Sequence, residues 1–455
     1  MARTEQDSGA LAGRRINRRD FLKMSGAGLA GASLLGVAGC GGGGDDSEGG
    51  GGDGGSEITF IYGPTGSTDQ QTVQKLVDEF NNQNDSGITV KFRQADSDTG
   101  AYFDQLRTEF QAQSKDIDVI LGDVIWPAQF AANGWIVDLA DRFPEDEREK
   151  FLEGPIESMN YEGGMYGVPW FTDAGMLYYR SDLLEESGFT DPPKTWDELK
   201  DIARQVQQDS GTKNGFVFQG ANYEGGVVDG LEYIWTHGGA VLGDNPNKIV
   251  IDSPESIAGL ATERSMVEDG VAPQAVANFK EDESAGSFLQ GNAVFLRNWP
   301  YVYGLLTDPE QSKIKLDQVG VAPLPSAPGE RSYSGLGGWN FYISAFSENQ
   351  DASYEFVQFM TAAKQQKFRA LEGGYLPTLK SLYEDQEILD EVPVVKLGGE
   401  ALQNTRPRPV SPVYSDMSLR MGEQFNASLK GDVSPEEAVK TLQTELQDIV
   451  DEAQG

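Results

Sequence analysis

The sequence predicts an α/β fold, a mostly parallel sheet flanked by helices. Three observations predict it. Short β-type runs alternate with amphipathic helical faces from residue 58 onward. The 38% apolar content can fill a sizeable core. Helix-start signals recur in the later helices. The 455-residue length suits two or three domains.

The elements follow in order. Residues 58–62 form a β-type run. Val73, Leu76, Val77 and Phe80 then recur at i, i+3, i+4 and i+7, one face of a helix. Residues 88–92 read as strand, Phe103, Leu106 and Phe110 as the next helix face, and residues 118–121 as a third strand. Thr195 and Glu198 form a capping box ahead of Leu199, Ile202 and Val206. Ser253 precedes Pro254, and Ser434-Pro435 with Glu437 opens the last amphipathic run.

Charge limits the function. There are 72 acidic and 36 basic residues, a net charge of −36. Such a surface repels nucleic acid, whose phosphates need a basic partner. Dense carboxylates also suit a molecule working in strong salt, which screens their self-repulsion. Cys40 and His237 are the chain's one cysteine and one histidine, too few for an internal disulfide or a Cys/His zinc site. His237 lies in a Trp-Thr-His-Gly-Gly run that reads as a helix end rather than part of a catalytic triad.

The N-terminus reads as an address and an anchor. Arg18 and Arg19, followed by Phe21, Leu22 and Lys23, match a Tat-type export signal. Residues 24–39 are weakly apolar and too short to span a bilayer. Val-Ala-Gly-Cys at residues 37–40 resembles a lipoprotein box, with the Cys40 thiol as the lipid acceptor. Residues 41–56 are Gly- and Asp-rich, a flexible tether with a reach of roughly 20–24 Å. Removing residues 1–39 leaves 30 basic against 69 acidic residues, a charge of −39.

Five segments mix Gly or Pro with aromatics and polar groups in non-periodic order: residues 122–127, 166–175, 219–226, 297–301 and 336–340. Gly and Pro place them at strand ends and loops, where open α/β sheets bind ligands. The chemistry suits a neutral sugar. A carboxylate accepts from adjacent hydroxyls in charge-assisted bonds. An indole covers the apolar face of a pyranose. Glycine lets backbone N–H groups come close. A glycosidase uses a similar mix.

Together these segments resemble the family 1 extracellular solute-binding proteins, and most closely the archaeal trehalose/maltose-type members. The most specific stretches run from Tyr166 to Leu184, through Pro169-Trp170-Phe171-Thr172-Asp173-Ala174-Gly175, and from Pro193 to Leu199. Gly122–Trp126, Arg297–Tyr301, the Val319-Gly-Val-Ala-Pro run, Gly337-Gly338-Trp339 and Pro407-Arg408-Pro409 add support.

The resemblance implies a two-lobe, periplasmic-binding-protein-like clamshell, each lobe a mostly parallel sheet flanked by helices, with hinge crossovers between them. Its expected division is a signal at 1–39, a lipidated tether at 40–56, lobe I at 57–167 and 331–364, and lobe II at 168–330 and 365–455. It implies a binding protein of an ABC importer that captures a mono- or disaccharide, delivers it to the permease and needs no enzyme chemistry or cofactor. The expected form is a monomer held outside the membrane by lipid on Cys40.

Motif by motif, the resemblance assigns hydroxyl acceptors to Asp123 and Asp173, and ring walls to Trp299, Tyr301 and Trp339, with Trp126 beside them. Backbone donors fall to Gly337 and Gly338, and donors that brace carboxylates to Arg93 and Arg408. Glu224 and Asp69 complete the set, Asp69 standing in the first loop where relatives tend to carry Glu. Gly226 stands where a larger apolar residue is common. Two rivals follow from the same residues: a secreted glycosidase using Asp123 and Asp173, and a binding protein for a sugar phosphate, another polyol or an oligopeptide. A phosphate wants a basic cluster, and two arginines among several acids favour an uncharged ligand. A chemotactic role would use the same fold.

Overall fold

Strand β1 (Glu57–Tyr62) buries Ile58, Phe60 and Ile61 completely, and its neighbours grow from the alternation read in the sequence. The computed structural model describes residues 56–64 and 66–454. Arg18, Arg19, Cys40 and the tether up to residue 55 lie outside the described residues.

The strands that follow are β2 (Thr89–Gln94), β3 (Val119–Asp123), the hairpin β4 (Asn160–Tyr161) and β5 (Gly164–Met165), β6 (Val168–Ala174) and β7 (Met176–Arg180). Then come β8 (Asn214–Val217), β9 (Ala293–Asn298), β10 (Val319–Ala322), β11 (Ser334–Ile343), β12 (Leu376–Pro377) and β13 (Thr405–Arg406). One sheet runs β12-β6-β11-β3-β1-β2, with β13 joined to β11. The second runs β10-β7-β9-β8.

Each sheet is the base of one lobe. On the first, helix Gly66–Gln83 packs Val73, Leu76, Val77 and Phe80 inward, and helix Thr99–Gln111 packs Tyr102, Phe103, Leu106 and Phe110. On the second lobe, helix Trp196–Ser210 carries the expected Thr195/Glu198 capping box and buries Leu199, Ile202 and Val206. A separate apolar cluster joins helices Glu224–Trp235, Pro254–Glu268, Tyr414–Lys430 and Pro435–Glu452. His237 closes the first of these helices, its ring bonded to the Tyr233 carbonyl and the Thr262 hydroxyl.

Two expectations change. The sheets are mixed rather than mostly parallel. β1 is parallel to β2 and β3, but β11 runs antiparallel to both β3 and β6, and β7 antiparallel to β9 and β10. The reason is that β11 enters the first sheet from chain returning from the second lobe and inserts between β3 and β6, not through a local β-α-β unit.

The lobe boundaries also shift. Residues 168–174 are β6 of the first sheet, so the crossover falls at Gly175 rather than between 167 and 168. Residues 376–377 and 405–406 pair in that sheet too, and helix Ala363–Gly373 packs on helix Gly66–Gln83. Lobe I therefore extends to Arg406, and of the chain after residue 364 only the two C-terminal helices join lobe II. Three strands of chain cross between lobes: at Gly175, between β10 and β11, and after β13. No helix among the described residues is long and apolar enough to cross a membrane.

Candidate ligand-binding cleft

The crossovers bring the C-terminal end of β3 and the facing ends of β6, β9 and β11 to one crevice. It encloses about 240 Å³ and draws its lining from both lobes. Asp123, Asp173, Glu224, Trp299, Tyr301, Gly337, Gly338, Trp339 and Arg408 all line it.

The aromatic walls are held from behind. Trp339 meets Tyr62 edge-on at 5.4 Å and Trp126 edge-on at 5.8 Å, and stacks with Tyr102 at 6.3 Å. Packing of this kind fixes the indole plane before any ligand arrives. Trp299 lies with its ring 4.1 Å from the guanidinium carbon of Arg297. Arg297 is itself buried, donating to Glu232 at 2.7 and 2.6 Å and to Gln219 at 2.9 Å.

Asp173 stands on β6 opposite Gly337 of β11. Among the described residues no hydrogen bond reaches its carboxylate. Burial raises its pKa to about 7, helped by the charge of Asp123 and opposed by Arg369 and Arg297. Asp123 is pushed up by burial and by Glu224, while Arg408 pulls it down. The buried Tyr301 hydroxyl also lacks a partner among the described residues. Asp173 and Tyr301 share the lining with Trp299 and Trp339.

Glycine at 337 and 338 has a steric cause. A Cβ on Gly337 would stand 3.0 Å from the Asp173 Cβ and 3.1 Å from Cζ3 of Trp299. Gly338 has φ +131° and would bring a Cβ within 2.5 Å of the Phe171 carbonyl oxygen.

Arg408 occupies the third crossover. It donates to Asp123 at 3.0 Å and to Glu224 at 2.7 Å. Glu224 also accepts from Tyr414 at 2.7 Å and from Ser418. Both of its oxygens are thus held by protein.

Three expected residues stand elsewhere. Asp69 is fully buried in the first turn of helix Gly66–Gln83, accepting from Arg369 at 2.7 Å and from the Tyr62 hydroxyl at 2.5 Å. Its short side chain belongs to a brace behind Tyr62, not to the lining. Arg369 in turn lies against the Trp170 and Tyr375 rings at 4.0 and 3.9 Å. Arg93 points from β2 to Glu109 at 2.6 Å, because that strand lies at the sheet edge. Trp126 is 3% exposed and supports Trp339 rather than facing the cleft.

The lining also includes residues that sequence reasoning missed: Tyr62, Asp98, Lys280, Glu281 and Tyr375. Glu281 accepts from the Tyr223 hydroxyl at 2.7 Å, and burial raises its pKa. Tyr375 follows Gly373-Gly374, the same glycine–aromatic style as Gly337-Gly338-Trp339, and that signal could have found it. Among the described residues no cluster of His, Cys, Asp and Glu could hold a metal ion.

The family described as bacterial extracellular solute-binding protein matches residues 64–367 of the chain. The chain belongs to that family. This solute-binding protein is 34% identical over 368 residues to a probable ABC transporter-binding protein of Deinococcus radiodurans, covering 79% of its own length and 86% of the relative. It is 28% identical over 294 residues to the maltotriose-binding protein of Pyrococcus abyssi, covering 63% and 60%. Among solved structures, maltose-bound MalE3 of T. maritima superposes with TM-score 0.81 at 38% identity, covering 86% of this chain and 99% of that one. The two-lobe architecture and the crevice between sheets are those of this family of extracellular binding components of ABC transporters.

Proposed function

We propose that this solute-binding protein captures a neutral mono- or disaccharide of the trehalose, maltose or glucose type and delivers it to an ABC permease. One observation carries the reading: Asp173 and Tyr301, whose carboxylate and hydroxyl have no hydrogen-bond partner among the described residues, line a crevice walled by Trp299 and Trp339. Asp123 and Asp173 accept sugar hydroxyls, the indoles cover the ring faces, and Gly337 and Gly338 admit the ligand close to β11. Arg408 and Glu224 set the floor from the crossover. The relatives named for maltotriose and maltose support the same ligand class.

The mechanism is a population shift. A ligand touching both lobes favours the closed arrangement by the difference in its affinity for the two states. The permease reads closure. The chain leaves the cell through the Arg18/Arg19 signal, stays outside as a monomer on the Cys40 lipid, and works in strong salt, which its −39 mature charge suits.

Calorimetry in molar salt against trehalose, maltose, glucose and a sugar phosphate tests this. Saturable binding of a neutral sugar, with the sugar recovered intact, is expected. Binding confined to the phosphate, or steady release of glucose, overturns it.

A further inference from the structure

The rim of the crevice carries a contact that the ligand does not require. Asp98 follows β2 in lobe I and caps helix Thr99–Gln111, its Oδ1 accepting from the Ala101 N–H at 3.0 Å. Lys280 precedes helix Glu281–Leu289 in lobe II, where its own N–H is held by Glu283 at 2.9 Å. The Lys280 ammonium donates to the Asp98 carboxylate and sits 5.0 Å from the Tyr223 ring centroid.

Every other ion pair among the described residues stays within one lobe or runs through Arg408 on a crossover. The Lys280 and Asp98 side chains are 45% and 34% exposed, so the pair lies at the water-facing edge of the lining. Asp98 is held through its side chain by the helix start, and the Lys280 ammonium lies over the Tyr223 ring, which lowers the usual cost of ordering a surface pair.

We infer that Lys280 and Asp98 form an electrostatic latch between the lobes: positioning residues that hold the cleft shut over its ligand without bonding to it. Opening separates the two helix starts and returns both charges to water, so the pair contributes to the closed state alone. The contribution acts on ligand escape rather than entry. It also weakens as salt rises, because the pair is exposed to screening.

This rests on the sugar-binding reading for its kinetic test and stands apart from it for the structural one. Asp98→Asn keeps an oxygen for the helix cap and loses the charge. Lys280→Met keeps the apolar stem over Tyr223 and loses the ammonium. With maltose as probe at low salt, each variant is expected to release ligand about two- to fivefold faster, with an unchanged association rate. The double variant should add nothing further, and the gap should narrow in molar salt without closing, because a direct hydrogen-bonded contact is no longer than the Debye length of about 3 Å there. Without ligand, small-angle scattering at low salt should show a larger radius of gyration for both variants than for the wild type. Equal dissociation rates, or a double variant showing the product of two independent effects, overturns the latch. If the wild type fails to bind maltose, the sugar reading loses that ligand, and identical scattering of wild type and variants by itself overturns the latch.

Discussion

Arg408 reaches Glu224 at 2.7 Å while the same guanidinium holds Asp123 at 3.0 Å, so one buried cation on a crossover ties a carboxylate from each lobe. Arg408 is 5% exposed, and its two partners are nearly as enclosed. Removing the cation leaves two carboxylates facing one another in a poorly solvated site. Arg408→Met should destabilise the fold by about 3–5 kcal/mol in denaturant unfolding at neutral pH. The loss should shrink on acidification, as protonation neutralises Asp123, whose pKa burial already raises. A variant as stable as wild type would remove Arg408 as the structural brace of the crossover.

Gly337 sets the distance between Asp173 and Trp299. Its replacement by alanine puts a methyl 3.0–3.1 Å from both, tighter than ordinary packing allows. The Trp299 indole can move only by leaving its stack on Arg297. Gly337→Ala should therefore weaken sugar binding by about tenfold or more while costing about 1–3 kcal/mol of stability. Calorimetry paired with thermal unfolding separates the two effects. Undiminished affinity would place the sugar away from this wall.

How much of this was legible in the sequence depended on whether a residue's neighbours in the chain are also its neighbours in space. Residues 58–121 wrote their strands and helices openly, because Val73–Phe80 and Phe103–Phe110 each pack against strands close in sequence. The antiparallel placement of β11 was not legible. Residues 334–343 lie inside the sheet between β3 and β6, and a strand covered on both faces has no apolar–polar alternation to read. Among the aromatic–glycine loops, Trp299, Trp339 and Gly337 line the crevice. Trp126 has the same composition and faces the core, because side-chain direction at a helix start follows tertiary packing. Asp98 and Lys280 belong to no motif in the sequence. Only the approach of two lobes makes them a pair.

Glu263 lies in the second lobe on helix Pro254–Glu268, 2% exposed, with Oε2 unpartnered among the described residues. Burial alone raises its pKa to about 8. The unfolded chain loses this proton near pH 4, whereas the folded chain keeps it until about pH 8. Over that window the native state binds more protons, so the group's effect on stability declines as pH rises and levels off above pH 8. Glu263→Gln keeps the shape and removes the titration. Its melting temperature should fall less than that of the wild type between pH 5 and pH 8. Parallel pH profiles would show that Glu263 is not held protonated.

Asp173 gives the corresponding signature in binding. Its pKa of about 7 leaves the empty site divided between carboxylate and carboxylic acid near neutrality. A sugar hydroxyl donates more strongly to the carboxylate, since charge-assisted bonds exceed neutral ones. Ligand therefore favours the ionised form, and by linkage affinity should rise with pH through about 7 and flatten above it. Below that point each pH unit should weaken binding by up to tenfold, because binding must then release a proton. Asp173→Asn should bind more weakly at pH 8 and lose the slope between pH 5 and pH 8. Calorimetry in two buffers of different ionisation enthalpy would also detect the proton released by the wild type at pH 6 and none from the variant. A wild-type affinity independent of pH over this range would show that the sugar does not bond to Asp173 as a carboxylate.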